Sequence, residues 1–441
     1  MIAANAYSHR EIWRIAGPMI VSSISVPLLG LVDTGVMGHL DDAYYLGSVA
    51  AGATIFSVVF MGMNFLRMGT TGVTAQGFGA GDNGAVREAL GQSILTALFM
   101  AVLIIAIQSP LIEGSLRLLS PSQAVAHYTK EYFSIRVWSA PASLCNFALI
   151  GWLLGMQNAR GPLLILLAVN LTNILLDLIF VLLLGMTVSG VAIATVIAEL
   201  VGTATGIYFV RKELAQHTGT WAGLNFFDPS RYKRLFRINA ALFLRTMSLM
   251  FVFAFITVQG ARMGDLILAV NAILMNFQLF LSYALDGIAH AAEALVGKAV
   301  GARDHSGMML AVRRTLQWSL LFSLSFVLIY WFAGPTIIDL LTDIDSIRVT
   351  AYEYLPWLII SPIISVWSFL YDGVYVGATR SKEMMFVMAV SAFLVFLPAW
   401  IYFDTLGNHG LWLAFTLFMA ARGLGMHIWF RRIASKNYNP V

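Results

Sequence analysis

Long apolar runs, bounded by glycine, proline and charged residues, occupy most of this 441-residue chain. A helix that crosses a membrane needs about 20 apolar residues, and a scan for such runs predicts twelve spans. The chain is therefore predicted to be an all-α membrane protein. The predicted spans are 12–38, 44–77, 88–110, 131–157, 162–184, 188–210, 237–261, 266–299, 314–341, 350–378, 384–404 and 410–430.

The composition excludes most other classes of protein. Hydrophobic residues make up 59% of the chain and charged residues 11%, whereas soluble domains carry about 25% charged residues. A disordered chain, a secreted disulfide scaffold, a nucleic-acid-binding protein and a cytosolic enzyme are all excluded on these grounds. The single cysteine, Cys145, allows no disulfide within the chain. Because the sequence has no phosphate-binding loop, GxSxG or HExxH motif, we expect neither an enzyme nor a bound cofactor, and we expect an ion gradient to supply energy.

The basic residues lie mainly on one side of the predicted membrane. With these spans, 19 of the 27 Lys and Arg residues fall on one side and four on the other. Basic residues are retained in short cytoplasmic loops, so both termini are predicted to be cytoplasmic. The remaining four lie within spans and are Arg67, Arg136, Arg245 and Arg422.

A long polar connection after the sixth span divides the chain near its middle. It predicts an N-lobe of residues 1–212, a cytoplasmic linker of residues 213–234 and a C-lobe of residues 235–441. The halves resemble each other at an offset of 222 residues, at which Gly155 corresponds to Gly377. Six spans per half give both halves the same orientation, so the repeats are parallel and a cavity is expected between the lobes.

Several acidic residues are predicted at membrane depth, where a charge costs about 2.5–3.5 kcal/mol on insertion scales. Such groups usually serve function, but an aspartate could also pair with Arg67 or Arg245 for packing alone. The sequence leaves both interpretations open. The acids are Asp33, Asp177 and Glu199 in the first half, and Asp286, Glu293 and Asp372 in the second half, where His290 lies on the same helix face as Asp286 and Glu293.

The first half contains two further features suited to ion coupling. Asn173 and Asp177 are four residues apart on one helix face, and an amide beside a carboxyl group can bond both of its protonation states. Pro18 and Pro27 interrupt the span that carries Asp33, and an interior proline makes a helix bend inexpensive. We expect both prolines to allow bending, with a static kink as the alternative.

Together these features resemble the MATE (multidrug and toxic compound extrusion) family, in particular its DinF-type subgroup. The resemblance covers nearly the whole chain. Its segments include PLLGLVDTGVMGHL (27–40), NLTNILLD (170–177), SYALDGIAHAAEALVGKAVGARD (282–304) and YDGVYVGATR (371–380). It implies two six-helix lobes in a V shape around a central cavity, which alternates between outward-open and inward-open states.

The resemblance also implies the coupling residues. In similar members the Asp of span 1 takes up the proton, supported by residues of spans 5 and 6, which here are Asn173, Asp177 and Thr195 around Asp33. Sodium-coupled relatives carry a Glu in span 7 that joins the Asp of span 10, but here span 7 has no acid beside Asp372. This difference favours protons. A Na⁺ site at the same four first-half residues remains an alternative, because they offer the oxygen ligands of a hard cation.

The function implied is that of a proton-coupled antiporter that exports amphipathic, cationic or polyaromatic drugs and toxic compounds. We expect a monomer in the bacterial inner membrane, with the lipid bilayer and small substrates as its partners. The alternatives are a Na⁺-coupled multidrug antiporter and a flippase for lipid-linked precursors. A channel would conduct ions without stoichiometric exchange. A membrane enzyme would need catalytic residues at one interface, whereas the acids here lie within the spans. Asp286, Glu293 and Asp372 are candidates for a second cation path or for packing.

Overall fold

The structure is a computed structural model, which describes the backbone of residues 7–37, 43–221 and 229–435. Side chains are described for residues 7–25, 44–221, 232–431 and 434. Every regular element in these ranges is helical, which confirms the all-α prediction.

Sixteen α-helices follow one another along the described chain. Two π-helical segments, Leu178–Leu183 and Ser391–Phe396, continue α8 and α14. The helices are α1 His9–Met37, α2 Ala43–Met63, α3 Phe65–Gly79, α4 Asn83–Ala106, α5 Gln108–Leu119, α6 Gln123–Arg136, α7 Ala140–Gly155, α8 Arg160–Asp177, α9 Val188–Leu214, α10 Pro229–Arg262, α11 Asp265–Gly301, α12 His305–Leu341, α13 Asp345–Gly377, α14 Ser381–Val390, α15 Leu397–Phe403 and α16 Asn408–Ser435.

Eleven helical stretches within the described residues are long and apolar enough to cross a membrane. They correspond to predicted spans 2 to 12. Predicted span 1 lies in α1, which is 29 residues long and continuous through Pro18 and Pro27. The stretches are Tyr44–Gly79, Asn83–Ala106, Gln123–Gly155, Arg160–Leu183, Val188–Leu214, Tyr232–Arg262, Asp265–Gly301, His305–Leu341, Asp345–Gly377, Ser381–Leu406 and Asn408–Arg431.

Large apolar side chains cover much of the outer surface of these helices. Phe332, Leu340 and Leu394 are each more than two-thirds exposed. In water such a surface would be unfavourable, but in a bilayer the lipid chains solvate it, while each helix satisfies its own backbone hydrogen bonds. The exposed apolar surface therefore explains the low charged fraction of the sequence.

The 222-residue offset recurs as a repeated helix contact. A Cβ atom added to Gly151 of α7 would lie 2.4 Å from the carbonyl oxygen of Arg67, and one added to Gly373 of α13 would lie 2.3 Å from that of Ala289. Small residues let two membrane helices approach this closely. Both halves therefore have the same contact, a glycine against a backbone carbonyl oxygen, at equivalent positions. The next turn repeats it, with Gly155 against Thr71 and Gly377 against Glu293.

The loops after the second span of each half also share their geometry. Asp82 accepts a hydrogen bond from the backbone N–H of Ala85 at 2.9 Å, and Asp304 accepts one from Gly307 at 2.8 Å. Each aspartate caps the helix that follows it. These paired caps show that GAGD (79–82) and GARD (301–304), which match at the same 222-residue offset, fold alike.

The chain divides by its contacts into two compact units. The first unit is Val21–Lys233, and the second unit combines Met1–Ile20 with Arg234–Val441. Helix α1 thus belongs to both, with its amino-terminal part in the second unit. The predicted boundaries at residues 212 and 235 stay predictions, because part of the linker between them lies outside the described residues.

The amino-terminal part of α1 is held by α12 inside the second unit. The rings of Trp13 and Trp318 lie 5.0 Å apart, edge to face, and Arg314 donates to the carbonyl oxygen of Tyr7 at 2.7 Å. Burial, together with the nearby Asp304 carboxylate, raises the pKa of Tyr7 to about 12, so its hydroxyl stays neutral at physiological pH. This part of α1 is therefore anchored.

Candidate functional site

Three of the four predicted coupling residues lie close together in the first unit. Asn173 and Asp177 are one turn apart on α8, and both are buried. The Asn173 side-chain amide donates to the Thr195 hydroxyl of α9 at 3.3 Å, and that hydroxyl donates to the carbonyl oxygen of Val191 at 3.0 Å. The packing of α8 on α9 thus brings the buried amide of Asn173 and carboxyl group of Asp177 together with the half-buried hydroxyl of Thr195 in one polar patch.

The same face of α8 contacts α1. Asn170 donates to the Ser25 hydroxyl of α1 at 2.9 Å, and Asn170, Asn173 and Asp177 follow the i, i+3, i+7 spacing of one helix face. The fourth predicted residue, Asp33, lies on α1, and its side chain lies outside the described residues, as does that of Pro27. The contact between Ser25 and Asn170 shows that α1 packs against the face of α8 that carries the polar patch.

The polar patch offers the atoms that a proton or a small cation needs. The side-chain oxygen of Asn173 is buried and accepts no hydrogen bond within the described part of the chain. An open amide acceptor can take an O–H bond from a protonated carboxyl group, and oxygens of Asn, Asp and Thr are also ligands for a hard cation. The geometry is therefore compatible with either ion.

The second unit places its predicted acid among arginines. One oxygen of Asp372 on α13 accepts hydrogen bonds from both Arg245 of α10 and Arg422 of α16, the latter at 2.9 Å. All three residues are buried, and the Arg422 guanidinium also lies over the Phe418 ring, 5.4 Å from its centroid. Two positive charges thus neutralise this carboxylate.

The other two second-unit candidates lie on α11. Ser282 donates to Asp286 at 3.4 Å, and Asp286 also interacts electrostatically with Arg422. Glu293 is buried and lies 3.5 Å from a ring nitrogen of His290. Asp286 therefore belongs to the charge cluster of Asp372, while Glu293 forms a separate pair.

The role of Arg422 was not predicted from the sequence. Its position within a span showed that it needs a compensating carboxylate, but six deep acids were available as partners. The sequence offered Arg245 as a partner for an aspartate without choosing which one, and the structure pairs it with Asp372. Partner choice depends on helix packing, which the spacing along one chain does not give.

The chain matches known proteins along most of its length. The MatE family model matches residues 18–179 and 241–401. The chain is 45% identical to DNA damage-inducible protein F of Escherichia coli (strain K12), over 96% of this chain and 92% of that protein. It is 25% identical to Multidrug resistance protein NorM of Vibrio cholerae, over 93% of this chain and 92% of that protein.

Solved structures confirm the fold. A MATE structure in complex with MaD3S matches with a TM-score of 0.86 at 21% identity, over 96% of each chain. A mutant of the Vibrio cholerae MATE transporter VcmN matches with a TM-score of 0.87 at 21% identity, over 97% of each chain. The twelve-helix architecture predicted from the sequence is thus that of known MATE structures. This chain, a multi-pass membrane protein, therefore belongs to the MATE family of transporters and is a DinF-type member of it.

Proposed function

We propose that this chain is a proton-coupled antiporter that exports amphipathic, cationic or polyaromatic compounds by alternating access. The observation that supports the proposal is the buried polar patch of the first unit, where Asn173 bonds Thr195 one turn from Asp177. The multidrug resistance name of one relative supports the substrate class. The Asn173 amide and the Thr195 hydroxyl are uncharged. A carboxyl group beside them can therefore gain or lose a proton without breaking an ion pair with either residue.

The contrast between the two units supports the placement of coupling in the first. Asp372 is held by two arginines. Removing its charge would leave both of them buried without the carboxylate that they bond, which is unfavourable, and Asp286 is the described carboxylate that remains in the cluster. We propose that Asp372 and Asp286 stabilise the second unit and that neither carries the coupling ion.

Helix geometry supports the inclusion of Asp33 in the proposed site. The predicted topology has α1 and α8 running in the same direction, and Ser25 contacts Asn170. From this contact, eight residues lead along α1 to position 33 and seven lead along α8 to position 177, which correspond to rises of about 12 Å and about 10 Å. We therefore expect the two backbone positions at similar depths.

The proposed cycle follows from the charge of this pair. With Asp33 ionised, the first unit attracts a cationic substrate from the cytoplasm or the inner leaflet. A proton from outside then neutralises the carboxylate and removes the attraction. A bend of α1 near Pro27 narrows the site, and the substrate leaves to the outside.

The proton gradient supplies enough energy for this exchange. Each inward proton provides about 1.4 kcal/mol per pH unit and about 2.3 kcal/mol per 100 mV of potential. When one proton exchanges for one singly charged cation, no net charge moves, so the pH difference alone drives export, by about tenfold per pH unit. We propose an inner-membrane location with both termini in the cytoplasm, as the distribution of basic residues predicts.

The first test is ethidium efflux from proteoliposomes under an imposed pH gradient and, separately, under a Na⁺ gradient. Asp33→Asn and Asp177→Asn remove the two acids, and Asp345→Asn is the matched control, because this carboxylate is exposed on α13. We expect efflux driven by the pH gradient in the wild type and the control. We expect at least a tenfold lower rate in Asp33→Asn, since the ionisable group is gone.

Each other outcome has a defined meaning. Efflux that requires Na⁺ would favour the sodium alternative, with Asp33, Asn173, Asp177 and Thr195 as oxygen ligands. Efflux that survives both substitutions would contradict coupling in the first unit. Absence of wild-type efflux under either gradient would favour the flippase.

A further inference from the structure

Besides Asp177 on α8, a further carboxyl group lies close to the polar patch, on α9. Glu199 is one turn beyond Thr195, and its side chain accepts a hydrogen bond from the Asn146 amide of α7 at 2.8 Å. The same amide nitrogen also reaches the backbone carbonyl oxygen of Glu199 at 3.1 Å. Asn146 is itself buried, so this contact is part of the helix packing of the first unit.

The hydrogen bonds around Glu199 can serve both of its protonation states. The Thr203 hydroxyl donates to the Asn146 side-chain oxygen at 3.0 Å, and it also lies 3.0 Å from the carbonyl oxygen of Glu199. If Glu199 takes up a proton, Thr203 can turn to that carbonyl oxygen. The Asn146 oxygen is then open to accept the new O–H bond.

The described charged groups around Glu199 come from two neighbouring helices. From α6, Arg136 interacts electrostatically with it, while the Arg136 guanidinium lies 4.8 Å from the centre of the Phe56 ring and donates to the Tyr132 hydroxyl. From α8, Asp177 lies one turn beyond Asn173.

We propose that Glu199 is a second proton-carrying group of the first unit, so that two protons enter for each substrate molecule exported. The proposal rests on the proposed antiport function and extends it. A singly charged cation that leaves in exchange for two protons gives a net inward movement of one positive charge. The membrane potential then contributes to export, which a one-for-one exchange does not allow.

The competing interpretation is a fixed ion pair, in which Glu199 stays charged and only balances Arg136. The two differ in proton count. The test measures protons released when ethidium binds to the purified protein in weakly buffered solution. We expect about two protons released per ethidium bound in the wild type and about one in Glu199→Gln. The bound cation takes the place of the protons that the coupling carboxyl groups carried.

The chain offers a close control on the same helix. Glu213 accepts a hydrogen bond from Asn158 at 2.7 Å, which repeats the Asn–Glu contact at the far end of α9. Glu213→Gln should release as many protons as the wild type, and the conservative Glu199→Asp should keep the second proton. An equal count in Glu199→Gln and the wild type would overturn the proposal. A wild-type protein that releases no proton would instead contradict the antiport function itself.

Transport gives an independent measurement. An inside-negative potential should accelerate ethidium efflux from right-side-out proteoliposomes of the wild type and of Glu213→Gln. Glu199→Gln should respond to the pH gradient alone. An unchanged response to potential in Glu199→Gln would overturn the second proton.

A wild-type measurement covers the case in which Glu199→Gln does not fold. Dicyclohexylcarbodiimide reacts with protonated carboxyl groups in apolar surroundings, and mass spectrometry locates the label. We expect labelling at Glu199 that rises as pH falls and decreases when ethidium is bound. No labelling at any pH at which the protein stays folded would establish the fixed ion pair.

Discussion

The aspartates inside the membrane spans differ in the side chains that surround them. Asp372 has two arginines on one oxygen, whereas Asp177 is one turn from the neutral pair of Asn173 and Thr195. In a medium that solvates ions poorly, a carboxylate bonded by two guanidinium groups depends on them to compensate its charge. The two intramembrane aspartates thus differ in the described groups that lie beside them.

The arginine cluster gives a prediction about stability. Asp372→Asn leaves Arg245 and Arg422 buried without their carboxylate, and breaking a buried pair in this way costs about 3–5 kcal/mol. We expect a clearly lower melting temperature of the detergent-purified protein. The matched control, Asp345→Asn, weakens an exposed pair with Arg348 and should change stability by about 0–1 kcal/mol.

Thermal unfolding followed by size-exclusion chromatography measures both variants. Ethidium efflux by the folded fraction of Asp372→Asn should still depend on the pH gradient. A variant with an unchanged melting temperature and abolished coupling would contradict this assignment and place Asp372 in the ion path.

Helices in this protein pack through glycine at two equivalent crossings. In the second unit, Gly373 of α13 lies against the carbonyl oxygen of Ala289 on α11. The approach is closer than any side chain permits, because even a methyl group would meet the backbone. Backbone atoms cannot rotate away as a flexible side chain would.

We therefore predict that Gly373→Ala separates α11 from α13. Overpacking of this kind typically costs about 1–3 kcal/mol, and a backbone contact should place it at the upper end. Gly114→Ala is the control, since nothing lies within 4 Å of its added methyl group and alanine is the better helix former. The melting temperature should fall for the first variant and not for the second; equal values would contradict the packing argument.

Helix boundaries show how far the sequence carries the prediction. Predicted span 2 is longer than a straight crossing requires, and the structure breaks it at Asn64, between α2 and α3. Predicted span 10 also exceeds a straight crossing, yet α13 runs unbroken through Pro356 and Pro362. Span length and proline content alone do not predict whether a helix is interrupted. A backbone group that loses its helical hydrogen bond needs another partner, and whether one is available depends on the neighbouring helices.

For the whole molecule, the long apolar runs were sufficient to predict the all-α class, and the 222-residue offset recurs in the helix packing within each half. The runs were sufficient because every membrane span needs a long apolar run, whatever it packs against. Asn173, Asp177 and Thr195, which the resemblance implied, lie close together on α8 and α9, and their role in coupling stays a prediction. The Arg422–Asp372 pair and the Asn146–Glu199 bond were not predicted, because each joins helices that are distant in sequence.

The orientation of the whole chain gives the last prediction. Ala124 and Ser346 are exposed at the amino-terminal ends of α6 and α13, and they share the 222-residue offset. Parallel repeats place both on the outer side, whereas inverted repeats would place them on opposite sides. Gln216 follows α9 and is exposed next to a basic segment, which predicts the cytoplasmic side.

Cysteine labelling tests this without removing the native thiol, since Cys145 is buried. Ala124→Cys and Ser346→Cys should react with a membrane-impermeant maleimide on intact spheroplasts. Gln216→Cys should react only after the membrane is opened. Labelling of one outer position without the other would contradict parallel halves, and labelling of Gln216→Cys on sealed spheroplasts would reverse the orientation on which the direction of export depends.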